Sequence, residues 1–361
     1  MIHTAGPSIT EKEVAYVTDA VKNGTYENWG LYLDRFTKAF SEYVGTKYAI
    51  PTSSCTGALH LLLAAAGIKK GDEVIVPDTS WIATAAVVTY VQAKPVFVDV
   101  DPESFTIDPI DIECAITKKT KAIIPVHLYG HPADMGPIND IAKDNDLWVI
   151  EDAAPSIGAE YKGRRTGSLG DGAGFSFQGA KLLVTGEGGM LVTNNDDLYE
   201  RAATLADHGR DKKITFRINE IGFKYKMSNL QAALGLAQLE RIDELIAKKR
   251  QIYYWYYDRL CGAPGIQIST EKECAKSIHW MTSIILSTAN REEVCSKLMA
   301  KGIDTRPFFP PMSSFPMFRN AHNPVAEYIG TRGINLPCPM NLTEGQAEYI
   351  CTELINILGQ T

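Results

Sequence analysis

Between about Lys70 and Thr193, short β-rich runs alternate with stretches of helical character: EVIVP, PVFVDVD, AIIPVHLYG, LWVIEDAA, GFSFQ and GMLVTN. That rhythm reads as a mostly parallel sheet covered by helices, an α/β architecture. At 361 residues the chain exceeds the usual size of one domain. The expected division is a large domain over 1–240, including an N-terminal helical segment, and a small C-terminal α/β domain over 241–361.

The helix signals follow the same plan. Thr56–Gly67, TGALHLLLAAAG, opens from the polar segment TSSCTG and ends at a glycine, so its first turn can leave backbone N–H groups free for an anion. Ser228–Leu260 has apolar residues every three or four positions and reads as one long helix bridging the two domains. Thr10 and Glu13 have capping-box spacing. In the last hundred residues, SIHWMTSIIL is a strand candidate and EEVCSKLMAKG a helix candidate, followed by the irregular, proline-rich RPFFPPMSSFPMF.

Composition removes several function classes. A net charge of -7 and a pI near 5.6 would repel a phosphate backbone, and no Lys/Arg stripe offsets this, so nucleic acid is not an expected partner. The start, MIHTAGPSITEKE, lacks signal-peptide character, and no apolar run approaches the ~20 residues that span a bilayer, so a cytoplasmic protein is expected. Seven cysteines without a CxxC pair fit reduced thiols. His127 and His131 in VHLYGHP have no further ligand cluster near them, so no metal is expected.

The chemistry concentrates in GFSFQGAKLLVTGEGGMLVT. Lys181 follows a strand-like run among small residues, where backbone can approach a planar ligand closely. A lysine attacks carbonyls only when neutral, and burial together with a nearby cation lowers its pKa toward working pH. Asp152 ends the apolar run LWVIEDAA, where open α/β sheets place ligand-contacting groups; its carboxylate could hold a pyridinium nitrogen protonated, or simply cap a turn. Cys55 and Thr56 open the TGALHLLL helix and could receive a phosphate on their N–H groups, with Ser176 adding a hydroxyl; an ordinary polar helix start reads the same. Trp81 could stack on an aromatic cofactor or belong to the core.

Taken in order, SSCTGALHLLL, GDEVIVPDTSWIATAAVV, PVFVDVDPESFTID, VHLYGHPADM, VIEDAAPSIGA, GSLGDGAGFSFQGAKLLVTGEGGMLVTNN, GFKYKMSNLQAALGLAQLERI and GIDTRPFFPPM resemble the DegT/StrS-type sugar aminotransferases over nearly the whole chain. The resemblance implies the aspartate-aminotransferase fold (fold type I) and pyridoxal 5'-phosphate as cofactor, with its pyridoxamine form as intermediate. It further implies Lys181 as the Schiff-base lysine and general acid–base, Asp152 on the pyridine nitrogen, Trp81 on the ring, and Cys55, Thr56 and Ser176 on the phosphate. A homodimer with shared active sites is implied too, the segment GFKYKMSN of one subunit reaching the phosphate of the other.

Against the commonest family pattern, Cys55 replaces Gly, Pro155 replaces Gln, Lys224 and Lys226 replace Asn and Arg, and Ser313 replaces a loop histidine. Lys224 could bind phosphate as a cation. Pro155 has no donor for the cofactor's ring hydroxyl, which leaves Ser156 as the nearby candidate. Related dehydratases carry histidine where Lys181 stands, so the lysine points to transamination. Arg306 in GIDTRPFF could meet a donor carboxylate or nucleotide phosphates, or form a surface ion pair, and Glu187 is a second substrate-side candidate. By resemblance the donor is L-glutamate and the acceptor a nucleoside-diphosphate-linked 4-keto-6-deoxyhexose, GDP- or dTDP-linked, as in amino-sugar biosynthesis for a bacterial surface polysaccharide or lipopolysaccharide O-antigen. A keto-cyclitol acceptor and a cofactor-binding regulator without turnover are the competing readings.

Overall fold

The structure, a computed structural model, describes residues 1–211, 213–318 and 321–359. Helices α1 (Glu11–Asn23) and α2 (Leu31–Val44) precede β1 (Tyr48–Thr52), α3 (Cys55–Ala65), β2 (Glu73–Pro77), α4 (Ala83–Tyr90), β3 (Lys94–Val98), α5 (Pro109–Ala115), β4 (Thr120–Ile123), α6 (Met135–Asp144) and β5 (Trp148–Asp152). The ribbon β6 (Glu160–Tyr161) and β7 (Arg164–Arg165) leads to β8 (Gly172–Ser176), β9 (Gly189–Thr193), α7 (Asp196–Ala206), α8 (Asn229–Leu239) and α9 (Ile242–Leu260). The remainder holds β10 (Ile266–Ile268), β11 (Ala275–Lys276), β12 (Thr282–Leu286), α10 (Arg291–Ala300), β13 (Arg306–Pro307), α11 (Pro324–Arg332), β14 (Gly333–Leu336) and α12 (Glu344–Leu358).

Seven strands form the main sheet in the order β1-β9-β8-β5-β4-β2-β3. Pairings from β3 across to β8 are parallel, and β9 alone runs against its neighbours. The expected mostly parallel, helix-covered sheet is therefore present. All five residues of β2 and of β9 are buried, as strands covered on both faces must be, and this explains their unbroken apolar runs. A second sheet, β10-β12-β14-β13, belongs wholly to the C-terminal part, while β11 joins β6 and β7 in a third. Among the described residues no helix is long and apolar enough to cross a membrane.

Two readings need correcting. Ser228–Leu260 is not one helix: α8 stops at Leu239, and Arg241 leaves helical geometry at φ -116°, ψ 10°. The break coincides with a tertiary anchor, since the Arg241 guanidinium reaches Glu13 at 2.7 Å and Ser8 at 3.0 Å, as well as Glu244 at 2.8 Å. The run AIIPVHLYG is a strand only to Ile123; beyond it Leu128–Gly130 forms a short 3-10 turn with Tyr129 at φ 51°. The capping box at Thr10 and Glu13 forms as expected.

Candidate active site

The carboxyl ends of the parallel strands open on one cavity of about 390 Å³, where sheets of this kind place ligands. Residues 54–56 reach it from the end of β1, Ser80 and Trp81 from β2, Asp152 from β5 and Ser176 from β8. Lys181, Glu187 and Gly188 come from the loop between β8 and β9. Six of the expected cofactor residues, Cys55, Thr56, Trp81, Asp152, Ser176 and Lys181, thus line one wall system, and Glu187 stands with them.

Asp152 is only 5% exposed, and burial raises its carboxyl above the ordinary range. The Thr84 hydroxyl opposes that rise by donating to its Oδ2 at 2.8 Å, and the Ala154 N–H donates to Oδ1 at 3.2 Å. Because Thr84 spends its proton on Asp152, the Ser80 hydroxyl 2.9 Å away must donate to Thr84, giving a buried chain Ser80, Thr84, Asp152. The Cys55 sulfur lies 3.9 Å from Oδ1; burial pushes its thiol well up, so it stays neutral.

Burial lowers the Lys181 amine to about 8, while the charge of Asp152 pulls in the opposite direction. An amine in that range supplies both a neutral nucleophile and its conjugate acid near neutral pH. Its Nζ lies 3.9 Å from the ring centroid of Trp280, a residue of the strand candidate SIHWMTSIIL.

One end of the cavity is built by α3 and β9. Ser54 caps α3, accepting from Gly57 N–H at 3.0 Å, and among the described residues no group accepts from the N–H of Cys55 or Thr56. A Cβ on Gly189 would lie 2.4 Å from the Ser54 carbonyl carbon and 2.5 Å from Cys55 N, so β9 abuts the helix start through bare backbone. Trp81 is 64% exposed at the cavity mouth, its ring 6.0 Å from Phe309. A flat aromatic ligand with an aldehyde, a ring nitrogen and a phosphate fits these groups: amine, buried carboxyl, free indole face and unpaired helix N–H groups.

Other expected residues lie elsewhere. Ser156 does not reach the cavity: its hydroxyl is fully buried, turned to Ala153 O at 3.3 Å and Thr166 Oγ1 at 3.1 Å by the tight turn after β5. Lys224 is exposed and off the cavity of its own chain, with Tyr225 behind the α3 start, its hydroxyl 3.1 Å from His60, and Lys226 paired to Asp207 at 3.0 Å. Arg306 is exposed in edge strand β13 and does not line the cavity. Ser313 is buried, held by Asp78 through its N–H and its hydroxyl, both at 2.7 Å, which makes it a structural residue of that loop. His127 is committed to Glu151 at 2.8 Å and accepts from Ala133 N–H at 3.0 Å. Thr84, Gln178, Trp280 and Phe309 carried no sequence signal for the site; the four-residue spacing of Ser80 and Thr84 across a helix start was the one available cue.

A family model described as the DegT/DnrJ/EryC1/StrS aminotransferase family matches residues 7–355. A GDP-perosamine synthase of Escherichia coli O157:H7 is 42% identical over 351 residues, covering 96% of each chain. A GDP-perosamine synthase of Caulobacter vibrioides is 41% identical over 365 residues, covering 99% of this chain and 98% of the relative. DesV of S. venezuelae, solved in complex with a ketimine intermediate, superposes with a TM-score of 0.91 at 32% identity, over 96% of this chain and 94% of that one. Matches of this length and a cavity that suits the cofactor agree at every level: the chain belongs to the DegT/DnrJ/EryC1/StrS aminotransferase family and is a pyridoxal-phosphate-dependent aminotransferase.

Proposed function

We propose that the protein moves an amino group from L-glutamate to a GDP-linked 4-keto-6-deoxyhexose, in the cytoplasm, as a step in surface-polysaccharide synthesis. The observation that carries this reading is near-full-length likeness, at 41–42% identity, to two relatives named for GDP-perosamine synthesis. The site supports it, because it brings a buried amine tuned to about 8 and a buried carboxyl into one cavity. When bound, the cofactor supplies an electron sink for the carbon that gains or loses its proton.

This chain's residues supply the rest. Lys181 holds the cofactor, then carries the proton between substrate carbon and cofactor as general base and acid. Asp152, steadied by Thr84, keeps the ring nitrogen protonated. The N–H groups of Cys55 and Thr56 with the Ser176 hydroxyl hold the phosphate, and Trp81 covers the ring face. Ser156 being spent, the amide nitrogen of Gln178, without an acceptor among the described residues while its oxygen is fixed by Ala180 N–H at 2.8 Å, is the donor on the cavity wall for the ring hydroxyl. Glu187, its carboxylate unpaired among the described residues, faces the substrate side. The reading includes a homodimer in which Lys224 serves the partner's phosphate, and the division into 1–240 and 241–361.

The test begins with the absorbance of the purified protein plus pyridoxal phosphate, before and after L-glutamate, beside Lys181→Ala. A lysine-linked band that bleaches with glutamate, absent in the variant, is expected. Conversion of GDP-linked 4-keto-6-deoxyhexose, but not its dTDP- or UDP-linked counterparts, is then expected by product mass. No band in wild type sinks the reading, and turnover of keto-cyclitols alone moves the substrate.

A further inference from the structure

Trp280 stands against the Lys181 amine, and several independent contacts hold it there. Its Nε1–H donates to Ala180 O at 2.9 Å, tying the indole to the residue before Lys181. Its own carbonyl accepts from the buried Lys249 Nζ at 3.0 Å. The Tyr129 ring lies nearly parallel to it, centroids 6.3 Å apart and planes 28° off. Only 6% of the residue is exposed.

The strap that carries it, residues 277–281, is bonded to the turn before α6. Ile278 N–H and the Ser277 hydroxyl both donate to Gly130 O, at 3.1 and 2.9 Å, and Met281 N–H donates to Tyr129 O at 3.4 Å. Both halves adopt left-handed backbone at bulky residues, Tyr129 at φ 51° and His279 at φ 48°. A Cβ on Gly130 would lie 2.8 Å from Trp280 N, so this glycine permits the approach. Such backbone is unfavourable and persists where surrounding contacts over-determine it. Here two such residues flank the one indole that meets the reactive amine.

We propose that Trp280 is a positioning residue for Lys181: its indole is the wall on which the amine rests whenever it is not bonded to the cofactor, and it excludes water from that side of Nζ. Two effects compete at such a wall. An aromatic face attracts an ammonium, while loss of water favours the neutral amine. The direction of the Lys181 shift, down, with burial as its leading cause, says that exclusion of water wins. The strap also keeps the amine within reach of its neighbours on the cavity wall after each proton transfer.

The inference rests on Lys181 being the cofactor lysine, so its test is made on cofactor-free protein. Lys181 acetylation by trace acetic anhydride is followed against pH by peptide mass spectrometry, in wild type, Trp280→Phe and Trp280→Leu. The wild-type midpoint is expected near 8, with Phe higher and Leu higher again, because each smaller side chain admits water beside Nζ. A one-unit rise would drop the reactive fraction at pH 8 from about a half to about a tenth. A purely structural tryptophan would change melting temperature without moving this midpoint. Midpoints unchanged or lowered in the variants overturn the proposal, and should Trp280→Leu not fold, Trp280→Phe against wild type decides alone. Failure of the wild type to take up the cofactor would sink the functional reading and leave this titration interpretable.

Discussion

At the scale of single residues, two buried groups with opposite shifts set the chemistry. Burial lowers the Lys181 amine to about 8, so its neutral fraction grows as pH rises through that value. The rate at which cofactor-free protein captures pyridoxal phosphate is therefore expected to climb between about pH 7 and 9 and then level, measured by stopped-flow absorbance. A flat profile would mean the amine is not the titrating group. Asp152 is shifted up by burial, and Thr84 opposes that shift with one O–H donor. Thr84→Val should raise the Asp152 pKa further and slow the glutamate half-reaction about tenfold, the worth of one hydrogen bond to a charged group. Asp152→Ala should slow it by about a hundredfold or more, as removal of a preorganised electrostatic partner does. Stopped-flow bleaching by glutamate measures both, and equal rates in wild type and Thr84→Val would remove Thr84 from the site. Lys181 and Asp152 were legible because a lysine amid glycines and an acid at a strand end are local patterns. Thr84 and Trp280 were not, since a threonine in a helix and a tryptophan near a strand look ordinary until folding brings them to partners 68 and 100 residues away in sequence.

At the scale of elements, the contact between β9 and the start of α3 shapes the end of the cavity proposed to hold the phosphate. Gly189 has no room for a Cβ: Ser54 C, Cys55 N and Phe175 O would all lie within 2.7 Å. Gly189→Ala must push the α3 N-terminus away, so cofactor affinity is expected to fall at least about tenfold with about 2 kcal/mol of stability lost. Cofactor titration and thermal melting check this, and unchanged affinity would show that the helix start does not hold the phosphate. The long helix expected over Ser228–Leu260 shows the limit of periodicity, because its apolar spacing persists through Glu240 and Arg241, where the chain breaks at the point that Arg241 meets the distant Glu13 and Ser8. The strand expected through Val126–Gly130 fails similarly: its apolar run is real, but Tyr129 and Gly130 are bent to receive the strap that carries Trp280.

At the scale of the whole molecule, α1 is pinned to the break between α8 and α9. Burial alone would raise the Glu13 carboxyl, yet donors from Thr10, Arg241 and Gln238 outweigh it and bring it down to about 2. A carboxyl lowered on folding stabilises above its unfolded value near 4.5, and that contribution is lost as pH falls toward about 2. Glu13→Gln is therefore expected to lose about 2 kcal/mol at pH 7 and to flatten the fall in melting temperature between pH 4.5 and 2, by calorimetry. If the wild-type and variant curves stay parallel, Glu13 is not the titrating anchor. The proposed dimer has its own test: mixing inactive Lys181→Ala with a Lys224→Glu variant should restore activity in hybrids that carry one intact site. No recovery, with subunit exchange shown by mass, would remove Lys224 from the partner's site.

The sequence by itself determined the mostly parallel sheet, the strand-end placement of Asp152 and Ser176, the helix start at Cys55 and the lysine of the glycine-rich loop, because each is written in near-neighbour spacing and in which residues are apolar. Only the tertiary structure decided that Ser156 and Ser313 are spent on internal hydrogen bonds, that Lys224 lies away from the cavity of its own chain, and that an indole from the C-terminal part faces Lys181. Those outcomes depend on which distant groups meet once the core closes, and a side chain's remaining hydrogen-bonding capacity exists only after its partners have been chosen.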